Sequence, residues 1–377
     1  MNYGTDSWEE INEHTVQLNM AFPHDPVLSQ LTIPSNSIAN KDVVEQYGYD
    51  WPREIVEGTS SGAYRFAEYI PGDRLILEQN EYYWGEKPEI QKINWRFITD
   101  ASSATVALQN GEIDSYNYVP TLDLSVLEAV DGITVEGQEN VGMIYLYCNV
   151  DENNQSSPIS NKLVRQAITY AIDRDALLML GCEGDGYTTS TLIPNEFNGY
   201  DASYEVAQDV EKAKALMSEA GYADGCKLVL TLSPEKHVAF SPIAEGLQTQ
   251  LSEIGIELEL KTVDSATADS LAWAHEYGDI GMNVIYAAVE DPQYVQYYSV
   301  GSLELGTLNF SGYSNPELDD IMSQSRQASG EEQSELVKQS TEISIEDSVC
   351  IRVCNGGKNR YAYRSDRWWV KRNWNER

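Results

Sequence analysis

Two hydrophobic periods run through this chain, and they switch most cleanly in residues 209–264, DVEKAKALMSEAGYADGCKLVLTLSPEKHVAFSPIAEGLQTQLSEIGIELELKTVD. Val210, Ala213, Leu216, Met217 and Ala220 recur at helical spacing, and Gly221 follows where a left-handed cap is needed. Residues 227–232 alternate as a strand. Ser241 and Pro242 then supply a hydroxyl at N-cap and a proline at N1 of a second helix. Its buried stripe is Ile243, Leu247, Leu251 and Ile254, and Gly255 stops it. Ile256, Leu258 and Leu260 face one way and Glu257, Glu259 and Lys261 the other. Strand, helix and strand with short joints predict a right-handed βαβ unit with parallel strands.

The same reading extends in both directions. Residues 10–20 alternate as one strand. Residues 63–70 and 75–78 read as a hairpin turned by Pro71-Gly72-Asp73, and 93–98 as a further strand. Asp100 caps a helix over 101–110 that ends at Gly111, and 112–118 returns as a strand. Its end, Tyr116, Asn117 and Tyr118, falls where α/β sheets expose residues to a crevice. Residues 143–150 are a strongly apolar strand. Asn161 opens one helix through Gly181, with Arg165 and Arg174 on its wet face. A helix with Leu271 and Trp273 leads through Asp279 to a buried strand over 280–288. Asn315-Pro316 caps a helix through Ser325, and a polar helix over 331–347 is anchored by Leu336, Ile343 and Ile345. A strand over 349–353 follows.

The chain resembles a known family. DVEKAKALMSEAGYADG, AEGLQTQLSEIGIELEL, VRQAITYAIDRDAL and the segment from SGAYRFAEYIPGD to LQNGEID are similar to blocks of extracytoplasmic solute-binding proteins of ABC importers, family 5, which bind oligopeptides, dipeptides and nickel. The blocks come in the family's order and span most of residues 55–265. The resemblance implies an α/β, two-lobed, periplasmic-binding-protein-like fold (type II, cluster C like) with hinge strands and an interlobe cleft. It also implies a first lobe that is incomplete at its N-terminus. The expected division is lobe one over 1–147, lobe two over 148–350 and a return segment over 351–377. The chain is expected to cross near Asn149 and come back near Cys350.

Candidate ligand-binding residues follow from this. By resemblance, Tyr147 and Asn149 lie at the hinge. Peptide-binding relatives end the strand with Trp-x-Ala-Asp-x-x-x-Pro, and that aspartate pairs with the ligand's α-ammonium. Here Ala288 takes its place and Ile285 takes the tryptophan's. A buried ion pair of that kind selects a charged amine, so its loss argues against free-amine peptides. Glu290 and Asp291 offer charge from a shifted register. Tyr118, Trp273, Tyr286 and Tyr294, with Tyr297 and Tyr298 beside them, offer rings that stack and donate hydrogen bonds. Trp84, in the aromatic loop 80–85, is expected to pack on the surface of its lobe.

The 377 residues carry 25 Lys and Arg against 60 Asp and Glu, a net charge of −35. That disfavours nucleic acid and anionic membrane surfaces as partners. Eight basic residues cluster from Arg352 to Arg377. No apolar run approaches the roughly 18 residues of a membrane span. The start, MNYGTDSWEE, carries no charged and apolar leader, so no export signal is read in this chain. The full-length protein is expected to be extracytoplasmic, in the periplasm or on the outer face of the membrane as a lipoprotein.

Five cysteines without a CxxC pair argue against a zinc site and a disulfide framework, while leaving Cys350–Cys354 pairing open. Gly58-Thr59-Ser60-Ser61-Gly62 matches G-x-S-x-G, but a strand rather than a helix follows, against a nucleophile elbow. No HExxH, P-loop or GxGxxG is present. The expected function is solute capture for an ABC import system, without catalysis, cofactor or metal. Its expected partners are a peptide-like or other small polar solute and permease subunits in the membrane, with the chain a monomer. The alternatives are a glycoside hydrolase-like enzyme using paired carboxylates and a remnant that binds nothing.

Overall fold

The computed structural model describes residues 5–20, 27–31, 37–48, 61–117, 119–138, 142–195, 197, 199–286, 294–302, 309–356 and 359–364. The chain divides into two compact units. One holds Met1–Ile33 and Glu139–Lys358, the other Pro34–Gln138 and Asn359–Arg377. The boundaries between these units fall at 33/34, 138/139 and 358/359, where the expected division into lobes had 147/148 and 350/351.

β1 (Thr5–Asn12) and β2 (Thr15–Met20) form an antiparallel hairpin. The alternation over residues 10–20 is thus two strands. They turn at Glu13-His14, where the His14 amide donates to Asn12 Oδ1.

In the second unit a short helix, Lys41–Tyr47, precedes a meander of β3 (Tyr64–Ile70), β4 (Arg74–Gln79) and β5 (Lys92–Arg96). Asp100 accepts from the Ser103 amide at 2.8 Å and starts the helix Ala101–Asn110, which Gly111 ends at φ +73°. The Glu112 and Ile113 amides both donate back to Ala107 O, so β6 shortens to Ser115–Asn117. The helix Thr121–Glu128 and β7 (Ile133–Gln138) complete this part around a small core of Leu108, Val119, Leu127 and Ile133.

The first unit is built on a six-stranded sheet of β8 (Gly142–Cys148), β9 (Gly186–Tyr187), β10 (Cys226–Leu232), β11 (Ile256–Thr262), β12 (Ile280–Tyr286) and β13 (Cys350–Gly356). The order is β11-β10-β12-β8-β13-β9. The expected parallel pair is present: β10 and β11 run in step from Cys226↔Ile256 to Leu232↔Thr262. β12 is parallel to β10, while β8 is antiparallel to both β12 and β13. Strands β10 to β13 consequently end at one edge, where β8 begins. Every residue of β8 and β13 is buried. This is why the crossings lie outside these strands. Finally β14 (Asn359–Arg364) pairs between β6 and β7 in the second unit.

Helices cover both faces of the sheet. Ile144, Leu146, Leu228, Leu230, Ile280 and Ile351 share one core with Ile168, Phe240 and Leu247. Tyr145 and Tyr147 face a second core with Tyr277, Phe310, Leu318 and Met322. A sheet covered on both faces is the arrangement for which near-continuous apolar strands are expected.

Several local expectations change. The helix expected from Asn161 to Gly181 is two, Lys162–Ala171 and Arg174–Cys182. Asp173 caps the second by accepting from the Ala176 amide, and Gln250 donates to Asp173 O and accepts from Asp173 N, satisfying the broken backbone. Arg165 and Arg174 are buried rather than wet. Arg165 donates to the carbonyls of Asp347, Ile159 and Ser160, and Arg174 to those of Arg352 and Val206. Burial lowers the Arg174 pKa to about 10, against the pull of Glu205.

The helix Phe240–Ser252 starts before Ser241, with buried Ala239 and Phe240 pulling it back. Pro242 remains in the first turn, where its missing N–H leaves no bond unmade. The helix Gly330–Asp347 buries Gln333, Val337, Ser340, Thr341 and Ser344, whereas Leu336, Ile343 and Ile345 are half-buried. Gln296 satisfies that face, bonded to Ser340 and Ser344 at 2.8 Å each. Trp84 is 84% exposed rather than packed, touching Tyr83.

Candidate functional site

The register of β12 against β8 decides which candidates meet. Ile280 pairs with Cys148 and Gly281 with Tyr147, while Tyr286 pairs with Gly142. Six residues at about 3.3 Å each separate these ends by roughly 20 Å. Tyr147 and Asn149 therefore lie at the amino end of β12, and Tyr286 lies at its carboxyl end. Trp273 belongs with the first pair, on the helix Ser265–Ala274 that leads into β12.

At the amino end the candidates are fastened inside the unit. Tyr147 packs between Tyr277 and Phe310, with ring centroids at 4.7 and 5.6 Å. It lies across Gly281, where a Cβ would come within 2.0 Å of the ring. Burial raises its phenol pKa far above the ordinary range. Asn149 is 2% exposed. Its Nδ2 donates to His275 O and Gly278 O at 2.9 Å each, and its Oδ1 accepts from the Asp151 amide. This clamps the turn in which His275 takes a left-handed φ of +56°. His275 Nδ1 in turn meets Asp151 Oδ2 at 2.9 Å. The Asn153 amide, and then His275, hold the Asp151 carboxyl below its usual range. Trp273 is half exposed and touches Phe310 edge-on at 5.0 Å.

At the carboxyl end, Tyr286 is 46% exposed. Tyr294 opens the helix Tyr294–Val300 and is half-buried. Tyr118, Ala288, Glu290 and Asp291 lie outside the described residues, as do Gly58 to Ser60 of the G-x-S-x-G match.

The turn after β10 adds residues that the sequence analysis passed over. Ser233 is buried, and its Oγ has no hydrogen-bond partner among the described residues. Lys236 pairs with Asp269. His237 accepts from the Ala239 amide through Nδ1 at 3.2 Å and stacks on Phe240. Burial pushes its imidazole pKa down, so the ring is neutral at neutral pH. Its Cε1 lies 3.5 Å from the point where a Cβ on Gly356 would stand, which joins the ends of β10 and β13. The crevice rule applied to residues 116–118 would have found 233–237, which follow a parallel strand in the same way.

Chemically, this edge offers a buried hydroxyl, a paired ammonium, a neutral imidazole and an exposed phenol. Among the described residues no group of three or more His, Cys, Asp or Glu is placed to hold a metal. No helix among them is long and apolar enough to cross a membrane.

Comparison with known proteins gives consistent matches. The profile of the bacterial extracellular solute-binding proteins, family 5 (middle), matches residues 2–306. The chain is 25% identical over 323 residues to the glutathione-binding protein GsiB of Pectobacterium atrosepticum, covering 83% of this chain and 61% of that protein. It is 27% identical over 263 residues to the dipeptide-binding protein of Escherichia coli, covering 68% and 48%. The chain thus spans about half to three fifths of the length of these relatives. Among solved structures it resembles the ABC transporter-associated periplasmic binding protein DppA of Helicobacter pylori in complex with the peptide STSA. That match has a TM-score of 0.83 at 22% identity, over 96% of this chain and 70% of that one. The likeness establishes the fold.

Proposed function

The chain belongs to the bacterial extracellular solute-binding proteins of family 5, and on that premise we propose that it is the solute-capturing component of an ABC import system. It acts outside the cytoplasm, as a monomer, by binding without chemistry, and hands its solute to permease subunits in the membrane. One observation carries the placement of the site: β10, β11, β12 and β13 all end at a single edge. In open α/β sheets, ligands bind beyond the carboxyl ends of the strands. Tyr286 and the turn from Ser233 to His237 stand at that edge. Ala288, Glu290, Asp291 and Tyr294 remain candidates for it, and Tyr118 remains a candidate within its own unit. Tyr147, Asn149 and Trp273 lie at the opposite end of the sheet and act there in packing rather than in ligand contact.

The solute is peptide-like or another small polar molecule, with free-amine dipeptides not the preferred ligands. Ala288 supplies no carboxylate at the position where peptide-binding relatives hold the α-ammonium. A conformational response to that solute requires unequal affinity for two states of the protein, not tight binding alone.

A thermal-shift screen against peptides, oligosaccharides and metal chelates tests this reading. At least one compound is expected to raise the melting temperature, with free dipeptides not the strongest. A dipeptide as the leading compound would overturn the ligand class. Turnover of a chromogenic glycoside panel would overturn binding without chemistry.

A further inference from the structure

Two of the five cysteines sit together, and they are not the pair that the sequence left open. Cys350 and Cys354 share β13, but a bulge between Arg352 and Cys354 turns them to opposite faces. Cys350 lies in the core with Tyr145 and Tyr147, and Cys354 in the core with Leu228 and Ile351. No disulfide spans the sheet between them. Cys148 donates to Ser348 O at 3.8 Å, and Cys226 starts β10 at the sheet's other edge.

Cys182 is the remaining thiol, the last residue of the helix Arg174–Cys182. It packs at the rim of the core that contains Cys354, and the two side chains are hydrogen-bonded. Its Sγ lies 3.5 Å from the point where a Cβ on Gly356 would stand, so the sulfur rests against the end of β13. We propose that Cys182 and Cys354 are a disulfide-forming pair, closed by oxidation outside the cytoplasm. The proposal does not rest on the identity of the solute, because it concerns two thiols in contact inside one unit.

The two sulfurs have different parts in the exchange. Cys354 is buried, and its hydrogen bond with Cys182 together with burial keeps it protonated. Cys182 is half-buried and is the point of attack. Its thiolate attacks a low-molecular-weight disulfide, forming a mixed disulfide and releasing one thiol. Cys354 then loses its proton and attacks the Cys182 sulfur, releasing the second thiol. Two protons and two electrons pass from the protein to the oxidant, which is reduced to two thiols. The new bond ties the end of the helix to β13 two residues before the strand closes at Gly356.

The test is oxidation of the folded chain with oxidised glutathione, followed by unfolding, alkylation and peptide mapping. Two of the five thiols are expected to resist alkylation, with a mass lower by two hydrogen atoms and the Cys182 and Cys354 peptides linked. The same link is expected when reduced, unfolded chain is refolded in a glutathione redox buffer. Cys182→Ser and Cys354→Ser should each abolish it, and Cys350→Ser should keep it. The oxidised form should melt at a higher temperature than the reduced form, a difference that Cys182→Ser removes. A Cys350–Cys354 link, a lasting glutathione adduct on Cys182 with Cys354 still alkylated, or five free thiols after both treatments would each overturn the proposal.

Discussion

Tyr286 and Asn149 stand at opposite ends of the same pair of strands: Tyr286 pairs with Gly142, whereas Cys148, the residue before Asn149, pairs with Ile280. No small solute touches both across roughly 20 Å of strand. Two residues that appear equivalent as candidates in the sequence therefore have different work to do.

Replacing the exposed ring should separate the two ends. Tyr286→Ala is expected to weaken solute binding about 3- to 10-fold, the worth of one stacked ring. Trp273→Ala, at the far end, should leave Kd within about twofold. Calorimetric titration with the strongest compound from the thermal-shift screen measures both. Loss of affinity at Trp273 alone would move the site to the amino edge.

Asn149→Ala should cost stability rather than affinity. The substitution strips the carbonyls of His275 and Gly278 of a donor inside a buried turn. A loss of about 2–3 kcal/mol is expected from urea unfolding, with Kd for the solute unchanged. A Kd that rises with no change in the urea midpoint would restore Asn149 as a ligand contact.

Glu205 should contribute to acid sensitivity. Burial pushes its pKa up, but hydrogen bonds from Thr189, Ser190 and Tyr200 outweigh this and hold it below its usual range in the folded chain. The unfolded carboxyl, near pH 4.3, then takes up its proton first as pH falls. The stabilisation is complete above that value and is lost as pH drops through the folded pKa. The urea midpoint followed from about pH 6 to pH 3 should fall more steeply for the wild type than for Glu205→Gln. Parallel curves would remove Glu205 from the account.

Two glycines with the same backbone angle should respond differently. Gly221 and Gly225 both sit at φ +88°, but a Cβ on Gly221 meets nothing within 4 Å, while one on Gly225 comes within 2.3 Å of Gly255 O. Gly221→Ala should cost about 1–2 kcal/mol, the strain of a left-handed L-residue. Gly225→Ala adds a collision with backbone and should cost more than about 3 kcal/mol. Chemical denaturation of both variants checks the difference, and equal losses would show that the loop relaxes freely.

Local rules carried well where the chemistry is local. Asp100, Asn161 and Asn315 cap the helices they were expected to cap, since each needs only a side-chain oxygen within reach of an amide two or three residues on. The parallel β10–β11 pair was equally legible, because two short joints and one helix leave little choice of direction. Strand direction elsewhere was not. The apolar run of β8 announces a buried strand but not that it runs against its neighbours, and on that direction depends which end carries Asn149. Arg165 and Arg174 were misplaced because a charge was taken to imply water. Carbonyls left open at the ends of neighbouring segments satisfy these guanidiniums instead. The buried stripe of the helix Gly330–Asp347 was missed because Ser340 and Ser344 are polar in sequence but paired with Gln296 in space.

The two rims of the six-stranded sheet have a consequence for the behaviour of the molecule in a crowd. On β11, Glu257, Glu259 and Lys261 are exposed, so an incoming strand from another molecule meets fixed charge at every second step. On the opposite rim, β9 has only two residues and offers almost no ladder to extend. Neither rim is a good template for templated growth into filaments. Charge on one rim and brevity on the other thereby guard this sheet against self-association through its backbone.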